Sequence, residues 1–296
     1  MGIQYIKIYF IICIAVIYSH AAVWNSPHNS KKVKTDTLFS SFSLPPKRLD
    51  PVISYSANEW AIIGQIYEPP LQYNYLKRPY ELEPLTLRKM PTIRYLNKDG
   101  KEVDGRSDEV LFTEYRLDLR KDIMYQDHPS FVKDANGSLL YAVLSEKELK
   151  HIDSLEDFKR TATRRLKASD YAYAIKRMAV RQNHSPILDS MQEYIVGLKA
   201  FSKKISKIAK EKKRGHQVLD LRPYSIAGVK VVDDDTLTIR IKGRYPQFLY
   251  WLSMNFFAPI PWEADLFYQQ KGLIAKNLTL NWFPVGTVAT YKTHLI

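Results

Sequence analysis

The stretch Gly228–Lys242, GVKVVDDDTLTIRIK, carries the clearest structural signal in this sequence. It predicts two strands, Gly228–Val232 and Thr236–Lys242, joined by the acidic turn Asp233–Asp235. In the second strand Leu237, Ile239 and Ile241 alternate with Thr238 and Arg240. That period of two gives one apolar and one polar face, the pattern of a half-buried strand. Three consecutive aspartates also offer hard oxygens to calcium. A calcium loop needs spaced ligands and a later bidentate carboxylate, whereas Thr236 leads straight back into a strand, so the run reads as a turn.

Toward the amino end the same alternation recurs at Glu114–Arg120, with Tyr115, Leu117 and Leu119 on one face and Glu114, Arg116 and Asp118 on the other. Asp99-Gly100 and Asn136-Gly137 suit tight turns that need positive φ. Helical spacing separates these strands. Asn58 reads as the cap of a helix through Trp60, Ile63, Ile66 and Tyr67, ended by Pro69-Pro70. Ser169 reads as the cap of a helix carrying Tyr171, Ala174, Ile175 and Met178. Ile195, Leu198, Phe201, Ile205 and Ile208 predict one long amphipathic helix over 189–213. Pro246 opens a short helix through Leu249 and Leu252, and another starts near Trp262. The sum is a mixed α and β fold, ordered too irregularly for a simple barrel.

The ends and the composition bound the rest. The chain has 296 residues, 45% hydrophobic and 25% charged, with 20 Tyr, 12 Phe and 5 Trp. This is a globular composition with ample apolar surface for a core. Residues 1–22 hold one charge, Lys7, then the apolar run Ile8–Tyr18, then small residues through Ala21 and Ala22. Those three parts predict a cleavable export signal, and the run is shorter than the ~20 residues that span a bilayer. Cys13, the only cysteine, lies inside that run, so the mature chain has no thiol or disulfide chemistry. Residues 23–46, polar and ending in Pro45-Pro46, read as a linker.

Motifs for catalysis are missing. There is no Gly-x-Ser-x-Gly elbow, no phosphate-binding glycine loop and no His-Glu-x-x-His helix, the arrangements that would signal a hydrolase, a nucleotide site or a zinc enzyme. The seven histidines, at 20, 28, 128, 151, 184, 216 and 294, are scattered and read as surface or internally satisfied groups. No catalytic residue, metal or cofactor is assigned. The net charge of +13 admits nucleic acid, an anionic membrane or an acidic partner. Export argues against nucleic acid. The basic excess is concentrated only at 199–216, where aromatics hardly interleave, so a solvated helix face is the plain reading. Asn136, Asn183 and Asn277 head Asn-x-Ser/Thr triplets, which matter only in a eukaryotic secretory pathway.

Several landmarks occur in one order: Leu49-Asp50-Pro51, then Gln65–Leu71 with Tyr67-Glu68-Pro69, then Tyr115–Asp122 followed by Tyr125 and Asp127. Ala168–Arg177, Gly228–Leu237, Phe256–Pro261 and Pro284–Thr287 continue the series. In this order the chain resembles the amino-terminal half of the family 5 extracellular solute-binding proteins, the oligopeptide, dipeptide and nickel-type receptors of ABC importers. The resemblance covers residues 49–287 and implies an α/β (mixed α+β) fold of the type II periplasmic binding protein kind. It implies a first lobe over 47–287, with an inserted subdomain near 85–225, and no second lobe.

It also implies a non-enzymatic, monomeric periplasmic protein that binds a peptide and docks on an inner-membrane ABC permease, without nucleic acid. By position in the family, the loop Tyr55, Ser56, Ala57 and Asn58 would form the first-lobe cleft wall. Ser185 to Met191 would form a second cleft segment. After Thr287 the family's pattern is lost, and residues 288–296 read as an aberrant tail. The expectation is therefore a truncated or frameshifted product, poorly stable and without tight peptide binding. The reading from a different class is a secreted basic protein that binds anionic surfaces through the helix at 199–216.

Overall fold

Alternation in the central strand sets the architecture. A computed structural model describes residues 44–215 and 217–287. The expected signal at 1–22 with Cys13, all but the last residues of the linker, His20, His28, His216 and His294, and the tail at 288–296 lie outside the described residues. Those from Pro46 to Thr287 belong to one unit.

A four-stranded antiparallel sheet has the order β3 (Thr92–Leu96), β4 (Phe112–Asp118), β6 (Thr236–Lys242), β5 (Val229–Asp233). Strands β4 and β6 pair along their whole length, from Phe112 opposite Lys242 to Asp118 opposite Thr236. Leu237, Ile239 and Ile241 of β6 and Tyr115 and Leu117 of β4 point into the core, none more than 1% exposed. On the other face Glu114 lies opposite both Arg94 and Arg240. It pairs with them at 3.7 and 2.8 Å, a charge ladder across three strands. A smaller hairpin, β1 (Leu71–Tyr73) and β2 (Leu82–Pro84), stands apart from this sheet.

Helices supply the layer over the apolar face. They are α1 (Ala57–Ile63), α2 (Glu146–Leu149), α3 (Ala168–Met178), α4 (Leu188–Tyr194), α5 (Leu198–Arg214), α6 (Phe248–Trp251), α7 (Trp262–Tyr268) and α8 (Lys271–Ala275). Helix α3 packs against β5, β6 and the turn at Asn255–Phe257, burying Tyr171, Ala174, Ile175 and Met178. One core runs from Val52 to Val285 and includes residues of the expected 85–225 subdomain together with those that flank it. Leu49, Ile63, Ile66, Tyr67 and Ala258 form a satellite cluster.

Several local expectations need correction. The helix expected over 189–213 is two helices, α4 and α5, with Gly197 at φ 80° between them. The break is a docking site: Ile195 bridges Ile241, the Val196 N–H donates to the Arg240 carbonyl at 3.0 Å, and the Gly228 N–H donates to the Val196 carbonyl at 2.8 Å. Backbone groups freed from the helix are satisfied by the sheet. Helix α1 is capped by Ser56 rather than Asn58, and the Glu59 carboxylate accepts the Ser56 N–H at 3.4 Å. It ends at Ile63, before the prolines, through the turn at Gly64–Ile66. Helix α3 begins two residues early, at Ala168, with Lys167 rather than Ser169 as cap; the Asp170 carboxylate accepts the Lys167 N–H at 3.0 Å.

Candidate functional site

The segment that leads into the loop expected as a cleft wall begins at a buried carboxylate. Asp50 accepts the Val52 N–H at 3.1 Å, closing a local turn around Pro51. A carboxylate only 2% exposed needs a cation, and α3 provides it: Arg177 donates to both Asp50 oxygens at 3.1 and 2.8 Å. The same guanidinium donates through Nε to Asp265 of α7 at 2.7 Å. Asp265 in turn accepts the Tyr173 hydroxyl at 2.7 Å and the Gln269 amide at 3.0 Å. Burial alone would lower the Arg177 pKa, but the Asp265 and Asp50 carboxylates outweigh it and hold it above its ordinary value.

A second carboxylate finishes the loop. Glu59 accepts the Lys47 and Arg48 N–H groups at 3.0 Å each and the Ser54 hydroxyl at 2.5 Å. Burial pushes its pKa up, yet the bonds from Ser54, Ser56 and Lys47 prevail and keep it low. The indole of Trp60 donates to the Ser54 carbonyl at 3.2 Å. Between these anchors Tyr55 stands out, 74% exposed, its ring stacked on Phe256 with centroids 6.3 Å apart. Trp60 meets the same Phe256 edge-on at 5.1 Å. Ser56 and Ala57 are exposed and Asn58 is half-buried in the first turn of α1. A rigid backbone that presents one aromatic face to solvent can hold an apolar or aromatic side chain.

The second expected segment is differently placed. Met191 has no exposed surface and packs into the main core with Ile187 and Leu188, so it anchors α4 rather than lining an open wall. Ser185 is half-buried, and its buried hydroxyl has no partner among the described residues.

Sequence reasoning missed another exposed group. Tyr73 meets Tyr80 edge-on at 6.1 Å and stacks on Tyr250 at 6.2 Å, while Arg78 lies over the Tyr80 ring at 4.3 Å. Tyr75 and Leu76 at the hairpin tip are almost fully exposed. The available signal was three tyrosines within residues 73–80, which follow neither strand nor helix spacing.

The remaining candidates resolve into structure. Asp234 and Asp235 pair with Lys167, Arg165 and Lys121, so the acidic turn is claimed by basic side chains. Among the described residues no cluster of His, Cys, Asp and Glu could hold a metal. The buried His128 ring is satisfied on both sides. Its Nδ1 accepts the Ser130 N–H at 3.1 Å, which leaves Nε2 to donate to the Tyr268 hydroxyl at 2.8 Å. Helix α5 buries Phe201, Ile205 and Ala209 and exposes Lys203, Lys204, Lys207 and Lys210. Among the described residues no helix is long and apolar enough to cross a membrane.

No protein-family model and no curated protein matches this chain. Solved structures do. The pheromone receptor PrgZ, described with its mode of peptide binding, aligns at a TM-score of 0.50 and 15% identity, over 85% of this chain and 35% of its own. OppA of Haemophilus influenzae in complex with a peptide aligns at 0.46 and 15%, over 85% and 34%. DppA of Helicobacter pylori with a bound peptide aligns at 0.42 and 17%, over 85% and 35%. The chain spans about a third of the length of these proteins. It shares with PrgZ the mixed α/β fold of the periplasmic-binding-protein kind.

Proposed function

We propose that this chain contributes the first-lobe wall of a peptide-binding receptor for an ABC importer. The observation that carries the reading is the exposed Tyr55 ring, seated on Phe256 in a loop that Asp50 and Glu59 fasten from both ends. The pheromone receptor PrgZ, which shares this fold and is described with its mode of peptide binding, supports it by analogy. Peptides are held in such receptors largely through the main chain, with side chains given room; an open aromatic face suits an indiscriminate side-chain contact. In this reading Ser56, Ala57, Asn58 and Ser185 lie along the wall, and residues near 85–225 form the inserted subdomain. Residues 1–22 direct export to the periplasm, and the monomer delivers its ligand to an inner-membrane permease. The role is binding, not catalysis.

Photocrosslinking tests it. A benzophenone amino acid at position 55 should capture members of a mixed tripeptide-to-pentapeptide library, identified by mass spectrometry. The same label at Val143, which is even more exposed, should capture none. Equal capture at both positions, or none at 55, would overturn the reading.

A further inference from the structure

The carboxyl-terminal half of α5, the irregular segment at 217–221, the segment at 177–183, and α7 and α8 line a crevice of about 490 Å³. That size lies within the range of roughly 300–1,000 Å³ usual for small-molecule sites. Its cations are unevenly employed. Lys212 bonds only the Gln217 amide oxygen, at 2.9 Å. Lys213 and Lys271 line the crevice with no ion-pair partner among the described residues. The single carboxylate in the lining, Asp265, is already neutralised by Arg177. Three ammonium groups therefore face the cavity without an answering charge.

The wall is not uniformly polar. Leu219 and Ile274 contribute apolar surface over the nearly buried Val180 and Leu221, and Ile274 is half exposed although it sits on a helix whose neighbour Leu273 is fully buried. Beside them Gln182 gives its amide N–H to the Ser206 carbonyl at 2.8 Å, fixing the side chain in the wall. Apolar surface next to unpaired cations is the chemistry of a site for an amphiphilic anion. Its head would meet the lysines and its body would cover Ile274 and Leu219.

We propose that this crevice binds a small amphiphilic anion, with a phosphate or carboxylate head and a short apolar body. The site is separate from the Tyr55 wall and stands or falls independently of the peptide reading.

Calorimetric titration of the purified protein with octyl phosphate should show saturable one-to-one binding. Lys213→Gln with Lys271→Gln should weaken it about tenfold, the loss of two exposed charge contacts. Lys203→Gln with Lys207→Gln removes the same charge from the exposed side of α5 and should change it less than about twofold. Octyl glucoside, with the same tail and no charge, should bind far more weakly. Equal losses in the two double variants, equal affinity for octyl glucoside, or no saturation would overturn the proposal. Cosedimentation with phosphatidylglycerol against phosphatidylcholine vesicles identifies the source. Binding to the former, lost in the Lys213/Lys271 variant, supports the site with a lipid headgroup as its ligand. Octyl phosphate binding without vesicle binding supports it with a free anion.

Discussion

Arg177 is the residue on which the candidate wall depends. It is 6% exposed and serves two carboxylates from opposite directions, Asp50 in the loop and Asp265 on α7. Replacing a buried ion-pair network by apolar groups can be neutral, but removing one member strands the others. Arg177→Met should therefore cost about 3–5 kcal/mol, read as a lower urea midpoint. Combining it with Asp50→Asn and Asp265→Asn should restore much of the loss, since neither amide carries a stranded charge. A single variant as stable as the parent would show that the loop is held by packing alone. Arg164 repeats the design nearby, bidentate to Asp170 at 2.8 Å and bonded to Glu263 at 2.7 and 2.6 Å.

At the scale of elements the informative one is the junction of α4 and α5. Apolar spacing runs unbroken through it, because Ile195 and Leu198 are both fully buried; the side chains satisfy a helix and a break equally well. What interrupts the helix is Gly197, whose φ of 80° lies in the region that disfavours side chains. A Cβ there would come within 2.9 Å of the Ala227 Cβ. Gly100 offers a control, with φ 76° and nothing within 4 Å of an added Cβ. Gly100→Ala should cost about 1–2 kcal/mol from backbone strain alone. Gly197→Ala should exceed it by about 1–3 kcal/mol from overpacking against the sheet. Thermal or urea denaturation of the two variants checks the difference, and equal losses would mean the junction relaxes freely.

For the whole molecule, acid sensitivity has an internal source. His128 is buried among Phe131, Phe267 and Tyr268. Burial, with no compensating charge beside it, pushes its pKa from 6.5 down to about 3. The unfolded chain takes up this proton near 6.5 and the folded chain does not until about 3. Stability from this group is thus complete above 6.5 and is lost as pH falls through that window, at about 1.4 kcal/mol per pH unit. His128→Gln should flatten the decline of the urea midpoint between pH 6.5 and 4.5, above the ordinary carboxylate range. An unchanged slope would place the sensitivity elsewhere.

Chain closure belongs to the same scale. The Val285 N–H donates to the Tyr67 hydroxyl at 3.1 Å, the Gln126 N–H to the Gly286 carbonyl at 3.0 Å, and the Leu49 N–H to the Asn281 carbonyl at 2.9 Å. A Cβ at Gly286 would lie 1.9 Å from the Ile66 carbonyl oxygen, so glycine is needed for this approach. These contacts join segments far apart in sequence, and no local pattern announces them.

From the sequence alone came the strand Thr236–Lys242, the strands expected at Glu114–Arg120 and Gly228–Val232 that the structure places at Phe112–Asp118 and Val229–Asp233, the turns at Gly100 and Gly137, and the mixed α/β class. Each is written in nearest-neighbour chemistry, as a period of two or a residue that tolerates positive φ. The loop Tyr55–Asn58 was singled out by resemblance, and Tyr55 is exposed at its surface. Tertiary structure alone decided that Met191 is core, that α4 and α5 part company, and that Arg177 joins Asp50 to Asp265. It also gathered Lys212, Lys213 and Lys271 around one crevice. The reason is physical: a periodic pattern records that a side chain is to be buried or exposed, whereas partners and cavities depend on which distant segment arrives beside it.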